Sequence, residues 1–440
     1  MSNQMLSEKN LLELSEIKPL ENQLDFDNFI ERGIKFRQYA ASTNSWSHNL
    51  VLRYSKPKSK IMECVNSSYP ILHESILPLI QNFIEFKKKN GHYTERYLYK
   101  NMSLYNMIDR LIKKRPLSFY GRHDKCKLRD GEEYYSDWNK KLNQIEYMSY
   151  DEIKLAAFIQ VSSPVLPINS GARKFCDKVT NYHVDEAVYV GAVGARLHKN
   201  YVMEHQEIIC DKNQNTIFRG YGKNKNELPT LLNVFADFYG IKYFPEYTNT
   251  EPIFNSDIYI KRIKVSIETF LIEANSRGSD KQKVYAHIVG LGLGKWSHEH
   301  LIELQTKLYL DACNQVINEL NLENISDIDF SYISDNYVFK TTKPINIIFS
   351  KRNPFDKIDS NKLVVAMYAW DGNAYPGNEY WCGLKGVTGD STAACCTQIP
   401  EFQNSDINEL NICVNNLKIS SKKYGLVSVS DYALNLLKKK

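Results

Sequence analysis

The chain has 440 residues, which is enough for two or three cores at roughly 100–200 residues per domain. Hydrophobic residues make up 43% of it and charged residues 24%, so the composition is globular and excludes a wholly disordered chain. The net charge is only +5 and the sequence has no aromatic–basic repeat, so nucleic-acid binding is not indicated.

The nine cysteines are an odd number and have no regular spacing. This pattern argues against a disulfide scaffold and for a reducing compartment. No Cys-x-x-Cys pair or His-Glu-x-x-His motif occurs, so neither a metal nor a cofactor is predicted. The first residues are charged where a secretory signal needs an apolar stretch, and no apolar run approaches the ~20 residues of a membrane span. We therefore expect a soluble, cytoplasmic protein.

Residues 1–45 are polar and are predicted to form a lead-in to a helical subdomain over 46–147. Within this subdomain apolar residues recur every three or four positions and would form one stripe: Leu98, Met102, Tyr105, Ile108 and Ile112. The segment 71–87 is similarly apolar, and Pro78 must start or kink a helix there. We interpret the stripe as a face packed on the main body. A helix pair that binds a partner protein is the alternative.

A capping box at 149–152 opens a short helix that runs to Phe158. From about residue 160, apolar strands alternate with helices. Strands are predicted over 184–191, 257–273, 283–290, 326–334, 345–350 and 362–370, and helices over 228–238 and 298–320. Such alternation predicts an α/β fold, a sheet covered by helices on both faces, over 148–410. Residues 411–440 are predicted to be a C-terminal tail.

The stretch 284–296, VYAHIVGLGLGKW, runs from a predicted strand into Gly290, Gly292 and Gly294, just before a helix. Glycines in this position let backbone N–H groups approach a phosphate. The Rossmann fingerprint fails because Lys295 stands at its last glycine, and a P-loop fails because Trp296 follows Gly-Lys. An ordinary tight turn is the alternative interpretation.

The stretch 364–381, VVAMYAWDGNAYPGNEYW, ends a buried strand in a loop rich in carboxylates, amides and aromatic rings. Ligands of an α/β sheet bind beyond the carboxyl ends of its strands. We therefore predict that Trp370, Asn373 and Glu379 bind a ligand in a crevice at that edge, and that the Asp371 carboxylate can hold a hydroxyl group or a water there. The alternative is an ornate surface turn.

The segment 287–334 resembles the central half of a macrodomain, with His287, Gly290 and Trp296 at the family's positions. The resemblance makes Trp296 a substrate-binding candidate beside the loop glycines. The resemblance implies a three-layer α/β/α mixed sheet, with an N-terminal helical subdomain in this chain. It also places a second phosphate loop at 334–336, where SDNYVF replaces the family's usual glycine-rich sequence. Asp335 in that loop becomes a further catalytic candidate.

The segment 188–210 resembles the signature of the poly(ADP-ribose) glycohydrolase branch of macrodomains. Gly191 and Gly194 occupy the place of the glycine triplet in that signature. Glu204 and Glu207 occupy the place of its Gln-Glu-Glu sequence. Glycines let the backbone close over a diphosphate or ribose, and a carboxylate nearby can act at the glycosidic carbon. The two glycines are predicted to bind substrate and the two glutamates to compete for the catalytic role. A solvated helix start is the equally weighted alternative.

The loop at 370–381, continued by TGDSTAACC, resembles the MavL-like macrodomain subgroup found among Legionella effectors, over about 130–410. The resemblance implies a hydrolase that removes ADP-ribose from a modified protein, without a cofactor or metal. It further implies a host cytosolic target, with ubiquitin modified on arginine as the leading candidate. For such a hydrolase, Asp371 and Asp335 are the leading candidates for the catalytic carboxylate. The alternative function is a non-catalytic ADP-ribose-binding module that recruits a protein partner. A hydrolase needs a carboxylate near the distal ribose, whereas a binding module does not.

Overall fold

A computed structural model of the chain describes residues 5–21, 24–38, 56–120, 125–134, 145–222, 229–247, 253–333, 336–358 and 361–439. Its strands are β1 Tyr69–His73, β2 Ser118–Tyr120, β3 Lys125–Lys127, β4 Glu133–Tyr134, β5 Ile159–Val165, β6 Ala187–Ala192, β7 Ile209–Cys210, β8 Ile253–Phe254, β9 Val284–Ile288, β10 Ile325–Ser331, β11 Asn346–Ser350, β12 Leu363–Ala369, β13 Lys418–Ser421 and β14 Gly425–Ser428.

Nine of these strands form one mixed sheet in the order β11-β10-β9-β12-β6-β5-β1-β13-β14. The five strands from β11 to β6 are mutually parallel, and β5 runs antiparallel to both of its neighbours. The carboxyl ends of β6, β9 and β12 therefore meet at one edge of the sheet. The α/β prediction is confirmed at this level. The specific macrodomain layout stays a prediction.

Helices cover the sheet and fill the N-terminal part of the chain. They are Glu8–Ser15, Phe26–Arg37, Lys58–Asn66, Ile76–Asn90, Tyr93–Tyr99, Leu104–Lys113, Tyr150–Ala156, His205–Ile208, Leu231–Tyr239, Ser256–Arg277, Ile302–Glu319, Gly389–Cys396, Ile399–Phe402 and Val429–Leu437. Among the residues that the structure describes, none of these helices is long and apolar enough to cross a membrane.

One predicted strand, 257–273, is wrong, because these residues lie in the helix Ser256–Arg277. The side chain of Asn255 caps this helix by accepting a hydrogen bond from the backbone of Ile258. Most of its residues are buried on all sides. A helix buried all round shows no polar face, so its Ile- and Val-rich sequence imitates the apolar run of a central strand. Its 22 residues are too many for an ordinary strand.

The apolar segment 71–87 contains the end of β1 as well as a helix, and that helix starts at Ile76, close to Pro78 as predicted. Pro78 lies in the first turn of that helix, where a missing N–H leaves no hydrogen bond unmade. The capping box at 149–152 is confirmed: the Ser149 hydroxyl accepts from the Glu152 backbone, and the Glu152 carboxylate accepts from Ser149.

The sheet also draws on the N- and C-terminal parts of the chain. β1 pairs with β5 on one side and with β13 on the other, so residues from 46–147 and from 411–440 complete it. The stripe of apolar residues in the helical part belongs to the same core: Ile108 and Ile112 are buried in it, and Leu98, Met102 and Tyr105 pack against it. The predicted domain boundaries themselves stay a prediction.

Candidate active site

A cavity lies beyond the carboxyl ends of the parallel strands, between the loops that follow β6, β9 and β12. Its walls are formed by Phe119, His198, Met203, Lys295, Trp296, Ala369, Asp371, Asn378, Glu379, Thr388 and Asp390. Three predicted site residues, Asp371, Glu379 and Trp296, therefore share one cavity. The third carboxylate, Asp390, was not among the predicted residues.

The carboxylate of Asp371 is fixed at the end of β12 by its own loop. Its Oδ1 atom accepts a hydrogen bond from the backbone N–H of Asn373 at 2.7 Å, and its Oδ2 atom accepts one from the side chain of Asn378. Burial raises the pKa of Asp371 to about 6; the backbone donor opposes this rise and the charge of Glu379 adds to it. A carboxylate with this pKa is ionised at neutral pH yet close to the range in which it can accept a proton.

Asp390 is the second residue of the helix Gly389–Cys396, whose capping residue is Thr388. One carboxyl oxygen accepts from the backbone N–H of Gly377 at 2.9 Å. The other is buried and has no hydrogen-bond partner among the described residues. Burial raises the pKa of Asp390 well above its usual value, and the charge of Asp371 raises it further. The protonated form is therefore favoured. The sequence signal was the acid in TGDST, which follows Glu379 by eleven residues.

Glu379 connects two walls of the cavity. One of its carboxylate oxygens accepts a hydrogen bond from the Thr388 hydroxyl, and the other lies 3.6 Å from the ammonium group of Lys295. Lys295 is more than half exposed. The residue that breaks the Rossmann pattern thus brings a positive charge to the mouth of the cavity, where an anionic group would be attracted to it.

Asn378 holds a wall that comes from the helical part of the chain. Its side-chain amide donates to the backbone oxygen of Phe119 at 2.8 Å and accepts from the backbone N–H of the same residue. Phe119 is 259 positions away in sequence, so no local pattern predicts this contact. On another wall, the rings of His198 and Trp296 meet edge to face at 4.5 Å.

The predicted glycines mainly allow close packing between neighbouring elements. Gly292 has φ +74°, and a Cβ atom built on it would lie 2.6 Å from the backbone oxygen of Ala195. A Cβ atom on Gly194 would clash with the backbone at Leu291 and Gly292. Leu197 N–H also donates to the backbone oxygen of Trp296 at 2.7 Å. The loops after β6 and β9 therefore pack directly on each other.

The remaining three glycines differ in how much space surrounds them. A Cβ atom on Gly191 would lie 2.5 Å from the Tyr368 hydroxyl, and one on Gly290 would lie 2.9 Å from Leu293. Gly294, by contrast, has no atom within 4 Å of such a position. Of the five predicted glycines, Gly294 is the one with room beside it for a ligand.

Two predicted binding residues lie behind the Asp371 loop. The Trp370 ring is 2% exposed and is covered by the guanidinium of Arg115 at 4.6 Å. The Asn373 side chain is fully buried, and its Oδ1 atom accepts a hydrogen bond from Arg196 at 2.9 Å. Their contacts support the loop from within the protein, and neither belongs to the cavity wall.

The two competing glutamates are buried in ion pairs away from the cavity wall. Glu204 lies between Arg196 at 2.8 Å and Arg262 at 3.1 Å. Burial alone would raise the pKa of Glu204, but the two guanidinium groups lower it to about 2. Glu207 pairs with Lys154, and burial raises its pKa. The fourth candidate, Asp335, lies outside the described residues. The cavity thus brings together Asp371 with Asp390 and Glu379, and leaves Glu204 and Glu207 elsewhere.

The chain is similar to known hydrolases over nearly its whole length. Residues 46–435 match the family model described as ADP-ribosylhydrolase MavL-like. The chain is 32% identical to ADP-ribosylarginine hydrolase CG2909 of Drosophila melanogaster in an alignment 427 positions long, which covers 86% of this chain and 84% of that protein. It is also 32% identical to ADP-ribosylarginine hydrolase CG3568 of the same fly in an alignment 476 positions long, which covers 98% of this chain and 92% of that protein.

Proposed function

The chain belongs to the MavL-like ADP-ribosylhydrolase family and is a glycosidic hydrolase, and from this premise we propose that it removes ADP-ribose from arginine side chains of a modified protein. The arginine linkage is the one named for both fly relatives. The alternative of a non-catalytic module is set aside, because the family and both relatives are described as hydrolases.

One observation carries the proposal: the carboxyl groups of Asp371, Glu379 and Asp390 line one cavity at the carboxyl edge of the parallel strands. The positively charged guanidinium group of a modified arginine is attracted to such a cavity. Cleavage of a glycosidic bond also passes through an oxocarbenium-like state, whose positive charge a carboxylate stabilises. Substrate binding and transition-state stabilisation thus favour the same acidic groups.

In the proposed reaction the bond between C1 of the distal ribose and an arginine nitrogen breaks, and the nitrogen keeps the electron pair. Asp390, protonated beforehand, gives its proton to that nitrogen. Asp371, ionised beforehand, takes a proton from the water whose oxygen bonds to C1. The products are free ADP-ribose and arginine, and a proton passes from Asp371 back to Asp390 through solvent. A carboxylic acid paired with a carboxylate is the usual arrangement for this work.

The diphosphate of ADP-ribose is assigned to the loop after β9. Gly294 has open space beside it, and the Lys295 ammonium group lies at the mouth of the cavity. A backbone N–H and a lysine can both contact phosphate oxygens. The aromatic wall of Trp296 and His198 would then lie beside the bound ligand.

The identity of the modified protein is the most specific part of the proposal. Ubiquitin modified on arginine in a host cytosol, and a macrodomain type of site, follow from the resemblance in sequence to the effector group. The matched relatives are fly proteins, so the family extends beyond that group. Ubiquitin is therefore proposed as one substrate to be tested beside an unrelated arginine-modified protein.

The test is to incubate the protein with substrates that carry ADP-ribose on Arg, Glu or Ser, and to measure free ADP-ribose by chromatography. The proposal expects release from the arginine-linked substrate well above release from the other two. Release from the Glu- or Ser-linked substrate alone would contradict the arginine specificity.

A further inference from the structure

We propose that Cys176 and Cys395 are a redox-reactive thiol pair, and that their disulfide bond fixes the helix Gly389–Cys396, which carries Asp390. The Sγ atoms of the two cysteines are in bonding contact, and their Cα atoms are 5.1 Å apart. This separation lies within the range of disulfide-bonded cysteines. The two residues are 219 positions apart in sequence, so the bond joins distant parts of the chain.

The pair connects to the cavity through one short helix. Cys395 lies in the last turn of Gly389–Cys396, and Asp390 lies in its first turn. At 1.5 Å per residue, the five steps between them span about 7.5 Å. A displacement at the Cys395 end is therefore transmitted to the carboxyl group of Asp390, because a short helix moves as a rigid unit.

The other partner belongs to a segment that already contacts this helix. The backbone N–H of Asp177 donates to the oxygen of Cys395 at 3.2 Å, and that of Ile168 donates to the oxygen of Cys396 at 3.0 Å. The carboxylate of Asp177 also pairs with Lys385, just before the helix. These contacts hold the two thiols near each other before any bond forms, and the disulfide would make the connection covalent.

The exposure of the two cysteines sets the order of the chemistry. Cys176 is half-buried and Cys395 is buried, so an external reagent reaches Cys176 first. The Cys176 thiolate attacks glutathione disulfide and forms a mixed disulfide, with release of one glutathione thiol. The Cys395 thiolate then attacks the Cys176 sulfur and releases the second glutathione. The two cysteines lose two electrons and two protons, and glutathione disulfide gains them.

A single such pair agrees with the odd number and irregular spacing of the nine cysteines, which predicted no disulfide scaffold. In reducing compartments, disulfides are usually transient and redox-sensing. The bond would therefore respond to oxidants and not serve as a permanent staple. The oxidised form, with its helix fixed, is expected to be the more active one. This effect on turnover rests on the proposed function, whereas formation of the bond does not.

A third cysteine, Cys396, lies close enough to the pair that metal binding could compete with disulfide formation. The sulfur atoms of Cys176, Cys395 and Cys396 lie within 4.8 Å of one another. Three thiolates at this spacing can also hold a zinc ion. The experiment must therefore separate a disulfide from a metal site.

The full chain is incubated with glutathione disulfide or with dithiothreitol and then alkylated. Linked peptides are identified by mass spectrometry, hydrogen exchange is followed in 389–396, and ADP-ribose release is measured. We expect a Cys176–Cys395 linked peptide, slower exchange and several-fold faster release in the oxidised sample. Cys176→Ser and Cys395→Ser should match the reduced protein under both conditions. Cys413→Ser, a buried cysteine outside the pair, should still respond like the unchanged chain.

Three results would overturn the proposal: no linked peptide, equal exchange in 389–396 in both states, or one zinc ion per chain that dithiothreitol leaves in place. A linked peptide with slower exchange but no ADP-ribose release in either state would uphold the thiol pair. It would count against the proposed function instead.

Discussion

The guanidinium group of Arg115 donates a hydrogen bond to the backbone oxygen of Gly372, the residue that follows Asp371. Arg196 also donates to the backbone oxygen of Asp371 at 3.3 Å and to the side chain of Asn373 at 2.9 Å. The loop that carries Asp371 is thus held by two buried positive charges. One of them comes from the N-terminal helical part and the other from the loop after β6.

Replacing Arg115 by Met should change the pH dependence of hydrolysis. Burial lowers the pKa of Arg115 to about 10, and its attraction to Asp371 opposes that effect, so Arg115 stays charged near Asp371 at neutral pH. Loss of this charge should raise the pKa of Asp371 and move the low-pH limb of kcat to higher pH. Arg115→Lys should move it less, and Arg32→Met, at a half-exposed ion pair with Glu409, should not move it. An unchanged limb in Arg115→Met would show that the charge of Arg115 does not act on Asp371.

Alanine at Gly292 should lower stability, whereas alanine at Gly294 should lower ligand affinity. Gly292→Ala places a Cβ atom 2.6 Å from a backbone oxygen at a positive φ, so the melting temperature should fall by several degrees. Gly294→Ala has open space, so its melting temperature should stay unchanged while ADP-ribose affinity, measured by calorimetry, decreases. A normal affinity in a stable Gly294→Ala variant would remove this residue from the proposed diphosphate contacts.

Glu204→Gln should act mainly on stability. The change leaves two buried guanidinium groups without their anion, and breaking a buried ion pair costs about 3–5 kcal/mol. Because the pKa of Glu204 is lowered to about 2, the stabilisation is present above its usual value and is lost as pH falls towards 2. Urea unfolding should therefore show a large loss at pH 7. Glu63→Gln, at a largely exposed carboxylate, is the control. Unchanged stability combined with lost turnover would return Glu204 to the catalytic role.

Asp390→Asn should change both stability and activity with pH. A carboxyl group whose pKa is raised by folding stabilises the protein at low pH and loses that contribution as pH rises. The decline of the melting temperature with pH should therefore be smaller in Asp390→Asn than in the unchanged chain. Its kcat should fall by about 10²-fold or more, the scale of a lost general acid. The exposed Asp280→Asn serves as control. An Asp390→Asn variant with full turnover would exclude Asp390 as the acid.

Much of the central sheet could be predicted because its strands are short apolar runs that end in polar loops. The same rule placed Asp371 and Glu379 at the cavity, since both lie in the loop that follows β12. The rule failed at 257–273, where burial on all sides hides the helical period. It could not join β1 to β13, because strand pairing over nearly 350 positions leaves no local signal.

Several site residues were beyond the reach of sequence patterns for a similar reason. Phe119 and Arg115 act through hydrogen bonds to residues more than 250 positions away. Trp370 and Asn373 have the residue types of a binding site. In the structure, however, Arg115 covers the Trp370 ring and Arg196 donates a hydrogen bond to Asn373, so both residues support the loop from inside the protein. No sequence pattern places these arginines near them. Residue type alone does not tell a ligand contact from a second layer of packing.

The most direct test of the account is ADP-ribose release by Asp371→Asn, measured beside ADP-ribose affinity in the same protein. The substitution keeps the shape of the side chain and removes the charge that would accept a proton from water and stabilise the developing cation. With an ADP-ribosyl-arginine substrate, we predict a turnover roughly 10²-fold or more below that of the unchanged chain. The dissociation constant for ADP-ribose should change only a few-fold, and Asp280→Asn should retain full turnover. Full turnover in a folded Asp371→Asn variant would contradict the account.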